Sequence, residues 1–277
     1  MSEFELRKGK EKLFLALIGS LTFLAVLPLF HIILTVFLKG FHTLSSGGMN
    51  FLLGTLSEGG IGPAIAGTFF LTFMASLLGV PIAFFIGLYA YEFPNSTLGR
   101  WVKVLLQIML EFPTILVGVF VMQILVVPMG TYSALSGALA LAIILIPYVT
   151  IYTHEAMREI PSTYREAAYS LGLTRFKVLI RVLAPMAKRG ILTGMLLGVA
   201  KVAGETAPLL FTVGGRYESY SFSLTKPAGA IPLLIYQLVQ SPSRADHEMA
   251  WGASLVLMLI FLAVFIPLRL SMREVKL

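Results

Sequence analysis

Long apolar runs alternate with short polar breaks along this chain. Six runs stand out, at 13–38, 62–91, 101–128, 132–152, 190–213 and 251–270. Each reaches the about 20 residues that a helix needs to cross a bilayer. None divides into the about 10-residue alternating segments of a membrane barrel. The pattern predicts an all-α integral membrane protein with six transmembrane helices. No small-residue cleavage site follows the first run, so that helix is expected to stay as an anchor. Gly-rich patches at 45–48 and 58–62 predict an outer loop before the second span.

Composition agrees: 57% of residues are hydrophobic and 13% charged, against about 25% charged in soluble domains. There is no cysteine, which excludes disulfides, thiol nucleophiles and cysteine-ligated metals. The net charge of +7 would suggest a nucleic-acid partner in a soluble protein. Here its distribution explains it. With six spans, all Lys and Arg except Lys39, Lys201, Arg216, Lys226 and Arg244 fall on the side of the termini. The positive-inside rule therefore puts both termini and the long fourth loop in the cytoplasm. The lipid bilayer is an expected partner and nucleic acid is not.

The fourth loop contains PSTYREAAYSLGLTRF at 161–176. Thr163 and Glu166 have capping-box spacing after Pro161. Tyr164, Ala167, Ala168 and Leu171 follow at i, i+3, i+4 and i+7, the spacing of one helical face. Gly172 stands where a left-handed cap ends such a helix. Thr174 is placed to cap a second helix, which Pro185 is expected to disturb. The residues alone leave two roles open for the short helix: lying on its own bundle or on headgroups, or offering its small alanines to a partner.

Charge also occurs inside the spans. Gly190, Gly194 and Gly198 form a small-residue stripe that favours close helix packing. Lys201 and Glu205 follow four residues apart, where each isolated charge would cost ~2.5–3.5 kcal/mol at mid-bilayer. Lys before Glu is the weaker order for such a pair. Either the pair neutralises itself at a helix interface, or it is functional. Pro208 cannot donate to the carbonyl of Gly204 and clashes with it, so the helix is expected to break over 204–207. Thr206 would cap a new half-helix, whose N-terminus attracts anions. These features suggest an anion route beside Lys201, with Glu205 orienting or partly neutralising it. Glu111, just before Pro113, is either a helix-end carboxylate near headgroups or Lys103, or a gating group.

Glu166-Ala167-Ala168 with Gly172 resembles the EAA motif of ABC-importer permeases, although Val182 and Ala184 relax the aliphatic positions before Pro185. GETAPLLF at 204–211, with Lys201 three residues earlier, resembles phosphate-importer permeases of the PstA type. GGIGPAIAGT at 59–68, EFPTILVGVF at 111–120, REAAYSLG at 165–172 and IPLLIYQL at 231–238 agree with it. The resemblance implies a MetI-like permease domain over 59–277 with five transmembrane helices. Residues 1–58 would precede it as an N-terminal segment, first helix and outer loop. It implies a coupling helix formed by Tyr164, Glu166, Ala167, Ala168, Leu171 and Gly172, and a substrate path carrying Lys201, Glu205, Thr206 and Glu111. It also implies a second, PstC-type permease, a PstB-type dimer that binds ATP and Mg, and a PstS-type extracytoplasmic phosphate-binding protein. Where this family usually has Arg, the chain has Lys201, a point charge rather than a bidentate fork. The alternatives are a permease for molybdate, tungstate or sulfate, or a scaffold that docks a cytoplasmic ATPase without transport.

The chain has no P-loop signature, and His247-Glu248 lacks the second His of a zinc-protease motif. No metal site or catalytic residue is expected, and ATP hydrolysis would belong to partner subunits. Asn95-Ser96-Thr97 matches a glycosylation sequon but falls on the expected cytoplasmic side.

Overall fold

The computed structural model describes residues 3–271. Arg273 and Lys276, counted above with the cytoplasmic charges, lie outside the described residues. The helices are α1 (Glu3–Leu53), α2 (Gly62–Glu92), α3 (Thr97–Glu111), α4 (Thr114–Met129), α5 (Ala134–Arg158), α6 (Ser162–Ser170), α7 (Arg175–Ala203), α8 (Ile231–Gln240) and α9 (Arg244–Ser271). Among them, α1, α2, α5, α7 and α9 are long and apolar enough to cross a membrane, and the bent pair α3–α4 makes six if it counts as one span. The chain is an all-α, multi-pass membrane protein.

Three runs end or bend differently from their hydropathy. The third is not one straight helix: α3 and α4 meet at 102°. Phe112, with φ −73° and ψ 128°, is extended because the ring of Pro113 disfavours helical backbone before it. The first run does not stop at the Gly-rich patch. Helix α1 continues to Leu53 and is interrupted only at Gly48, with φ 53° and ψ −138°. The fifth run is helical only to Ala203, so 204–213 leave the helix.

Pro185 disturbs its helix without breaking it. Wide π-type turns at Val178–Leu183 and Met122–Val126 lie just before Pro185 and Pro128. Widening the turn absorbs the proline's clash with the carbonyl four residues back and its missing N–H. Thr174 does start α7 in extended conformation, but its side chain makes no capping bond.

Helix α5 lies at the centre. Helix α2 presents Ala75, Gly79, Ala83 and Gly87, all buried and spaced by four, to one side of it. Helix α7 presents Gly190, Gly194 and Gly198 to another side. A Cβ on Gly194 would sit 2.1 Å from Tyr152 Cβ, and one on Gly87 would sit 2.7 Å from Thr153 Cβ. The backbones therefore approach closely, as expected for small-residue stripes in lipid. Thr150 Oγ1 donates to the Ala83 carbonyl across this interface at 3.2 Å.

The segment between α7 and α9 folds back into the bundle at its start and forms α8 in its middle. Thr212, Val213, Ala228 and Ala230 are buried. The N–H groups of Ser133, Ala134 and Leu135 donate to the carbonyls of Thr212, Lys226 and Leu224 at 3.0, 2.9 and 2.9 Å. This loop thereby satisfies donors that the start of α5 leaves open. At the start of α8, Ile231 N donates to Thr68 Oγ1 of α2 at 2.8 Å. Helix α1 stands apart, exposed along its apolar length. It leans on α9 where Gly40 meets Leu255 and Gly252 meets Phe51.

Gly194→Ala is expected to lower the thermal stability of the purified chain by about 1–3 kcal/mol through overpacking. Gly19→Ala, with nothing within 4 Å of the added Cβ, should leave it unchanged. Equal melting temperatures for the two variants would count against the α5–α7 contact.

Candidate functional site

The short helix predicted from the fourth loop is α6. It begins at Ser162 with Pro161 as its cap residue, and no side chain caps it. The expected Thr163–Glu166 capping box does not form, because the helix starts before Thr163 and draws that residue into its first turn. Its far end matches the sequence reading. Gly172 has φ 74°; its N–H donates to Tyr169 O at 2.9 Å, and Leu173 N donates to Ala168 O at 3.3 Å. Together these bonds form a Schellman closure, which requires a left-handed residue at Gly172.

The two alanines of α6 face different ways. Ala168 is buried against Val178, Leu179 and Leu183 of α7 and Met157 of α5. Ala167 is exposed with Tyr164, Glu166 and Leu171, the last at 81%. The expected apolar face is thus divided: Ala168 fixes the helix to its own bundle, and Tyr164, Ala167 and Leu171 remain exposed.

An ionic anchor holds this element, and the sequence reading missed it. Glu92, at the end of α2, has a side chain only 3% exposed. Arg165 of α6 donates to it through both Nη atoms, at 3.2 and 2.8 Å. Arg175, the first residue of α7, donates through Nε to the same carboxylate and through Nη2 to the Glu92 carbonyl at 2.7 Å. The Arg165 guanidinium lies 5.2 Å above the Tyr91 ring, and that of Arg175 lies 4.3 Å above Phe93. Burial opposes the charge of Arg165, but Tyr91 and Glu92 outweigh it and hold its pKa above the ordinary value. One carboxylate therefore joins α2, α6 and α7. The available signal is an acid ending an apolar span, with Arg165 and Arg175 among the basic residues of the fourth loop.

Beside this anchor, a cleft of about 690 Å³ opens between the ends of α2, α3 and α5, lined by Tyr91, Asn95, Lys103, His154 and Arg158 among others. Lys103 faces this cleft and makes no ion pair with Glu111 among the described residues. Glu111 is exposed at the end of α3, at the bend. An apolar cavity of about 300 Å³ spans that bend and is lined by Phe112, Thr114, Val117 and Tyr148, among others.

The pair inside the fifth run is present: Lys201 Nζ bonds the Glu205 carboxylate, with side chains 46% and 9% exposed. Its setting differs from the expectation. Helix α7 ends at Ala203, with Gly204 as its cap residue. No α-helix restarts at Thr206. A single 3-10 turn follows at Leu209–Phe211, with Pro208 as its cap residue. The Thr206 carbonyl accepts from Leu209 N and Leu210 N, at 3.1 and 3.3 Å. Lys201 thus lies in the last turn of a helix, where carbonyl dipoles favour a cation, and no half-helix N-terminus faces it. Pro208 is nevertheless where the chain turns. It packs on Gly118 of α4, where an added Cβ would lie 2.7 Å from Pro208 Cα. The structure brings Lys201 and Glu205 together and leaves Glu111 on another element.

Residues 79–276 match the family described as "binding-protein-dependent transport system inner membrane component". The chain is 63% identical, over 97% of its length and 96% of the relative's, to a protein of Methanocaldococcus jannaschii named "Probable phosphate transport system permease protein PstA". It is 36% identical, over 96% of its length and 98% of the relative's, to the "Phosphate transport system permease protein PstA" of Pasteurella multocida. Its fold resembles a chain of the inward-facing MetNI methionine ABC transporter, with TM-score 0.61, 18% identity, and 76% and 92% of the two chains covered. It also resembles a chain from a crystal structure of an amino acid ABC transporter with histidines, with TM-score 0.58, 20% identity, and 77% and 94% covered.

Replacing Glu92 by Gln removes the charge that two guanidiniums share in a buried setting. Breaking such a cluster is expected to destabilise the chain by about 3–5 kcal/mol. Proteolysis should then cut first near α6. A variant with unchanged melting temperature and unchanged cleavage near 160–176 would show that the anchor contributes nothing.

Proposed function

The chain belongs to the family of binding-protein-dependent transport system inner membrane components, and we propose that it is the transmembrane permease subunit of an ATP-driven phosphate importer. The observation that carries this reading is the 63% identity to a PstA-named relative over nearly the whole of both chains. The chain is a transport subunit, not itself an enzyme. Hydrolysis of ATP, with Mg, belongs to PstB-type subunits. A PstC-type permease would form the other half of the path, and a PstS-type binding protein would deliver phosphate from outside.

In this reading the Glu92 end of the bundle faces the cytoplasm, in keeping with its excess of Lys and Arg. Helix α6 is the coupling helix. Tyr164, Glu166, Ala167 and Leu171 meet the ATP-binding subunit, while Ala168 and Gly172 shape and seat the helix. When that subunit moves, Arg165 and Arg175 transmit the displacement through Glu92 to α2, and Ala168 transmits it to α7. Both helices grip α5, so the motion reaches the membrane core as a rigid-body shift.

Lys201 supplies positive charge to the phosphate path. Glu205 holds its ammonium in place, and the buried carboxylate limits how tightly an anion is retained. The chain break at Gly204–Pro208, including Thr206, offers exposed backbone beside that charge, a break tolerated only where protein or a watery cavity satisfies it. Glu111, at the α3–α4 bend, is placed to sense opening of that bend. The unit over 59–277 forms the permease core, and 1–58, with α1, is an addition to it.

Vesicles containing this chain and its three partner types would test the assignment. Lys201→Ala should cut phosphate uptake about tenfold, equivalent to losing about 1.4 kcal/mol, with the complex still assembled. Glu166→Lys and Gly172→Leu should leave ATP hydrolysis running while uptake fails. Unimpaired pumping by the last two variants would refute the docking assignment. Stronger competition by molybdate, tungstate or sulfate than by phosphate itself would reassign the anion.

A further inference from the structure

The family match begins at residue 79, so it assigns nothing to α1. Yet α1 and α9 enclose a cleft of about 500 Å³, lined by Lys39, His42, Arg244, His247, Glu248 and Trp251, among others. The cleft lies where the apolar run of α1 has just ended and that of α9 begins. That is headgroup depth, and Trp251 holds the position of an interfacial aromatic. The walls are fixed to each other. Thr43 Oγ1 donates to the Glu248 carbonyl at 2.9 Å, and Gly40 and Gly252 let the two helices touch.

Its charge is unbalanced. Lys39 and Arg244 are cationic and face a single carboxylate, Glu248, so the cleft is net positive whatever the state of its histidines. The Lys39 ammonium lies 4.7 Å above the Trp251 ring, which leaves its remaining donors for another partner. Arg244 meets Glu248 at 3.6 Å but is 94% exposed, a geometry that contributes little and leaves the guanidinium free to turn. The volume falls within the about 300–1,000 Å³ of small-molecule sites. Leu38 and the indole add an apolar wall, which a free inorganic anion would not need and an acyl-glycerol would.

We propose that this cleft binds the phosphodiester of an anionic membrane lipid, gripped by Lys39 and Arg244, with its glycerol and first acyl carbons against Trp251 and Leu38. Assigning the site to the outer leaflet rests on the orientation given under Proposed function; lipid binding itself does not. The lipid seals the seam between α1 and α9. Free phosphate shares the anionic chemistry but not the apolar end.

The chain has two tryptophans, so Trp101→Phe in the full-length chain leaves Trp251 as the reporter. Nanodiscs containing chain-brominated phosphatidylglycerol or chain-brominated phosphatidylcholine would be compared by quenching of Trp251. Phosphatidylglycerol should be preferred. Lys39→Gln and Arg244→Gln should each reduce that preference about fivefold, from about 1 kcal/mol per basic residue near an anionic surface. Lys39→Arg should retain it, and Glu248→Gln should strengthen it, an opposite sign that misfolding would not produce. Inorganic phosphate at millimolar concentration should displace nothing. Equal quenching by the two lipids, an unchanged preference in the double Gln variant, or displacement by inorganic phosphate would each overturn the proposal. The orientation is tested separately by the side from which α6 is cleaved in sealed vesicles, so either reading can fail without the other.

Discussion

Everything else in this bundle depends on how closely α2 and α7 can approach α5. Lipid offers helices no hydrophobic reason to associate, so packing and a few polar bonds must hold them. Ala75, Gly79, Ala83 and Gly87 on one side, and Gly190, Gly194 and Gly198 on the other, remove the side chains that would keep the backbones apart. With α5 held between them, the two ends of the bundle acquire fixed geometry. At one end the tips of α2 and α7 come near enough for Glu92 to bind Arg175. At the other, the segment after α7 folds back over the start of α5 and supplies its missing acceptors.

Two buried carboxylates then organise the regions proposed for coupling and for the path. Glu92 and Glu205 are each almost closed off from solvent and each paired with a more exposed cation. Their surroundings differ. Glu92 has two guanidiniums and aromatic rings beneath them, an arrangement suited to carrying force between elements. Glu205 has one ammonium, which stays accessible, an arrangement suited to presenting charge. The fold separates the two arrangements along α7: Arg175 opens that helix and Lys201 closes it.

Prolines set where the spans yield. Pro113 bends the α3–α4 span outright because the residue before it cannot stay helical. Pro128 and Pro185 are absorbed by wider turns, and their helices continue. Pro208 follows a helix that has already ended at Gly204, and the backbone it occupies fits only because Gly118 has no side chain.

The sequence by itself determined what local chemistry controls. Hydropathy placed the spans, the four-residue glycine spacing marked the packing face of α7, and Gly172 fixed the end of α6 through its left-handed backbone. The EAA stretch and GETAPLLF carried the family. Tertiary structure decided the rest. The Thr163–Glu166 box was a sound local option that Pro161 pre-empted by starting α6 earlier. Ala167 and Ala168 read alike until α7 buried one of them. Helix α7 stopped short of Thr206, which removed the half-helix that hydropathy and Pro208 had suggested. Glu92 found partners 73 and 83 residues away, and no periodicity encodes such a pairing. Periodicity and backbone preference act within a few residues, whereas a buried charge takes its meaning from whichever helix ends the packing brings to it.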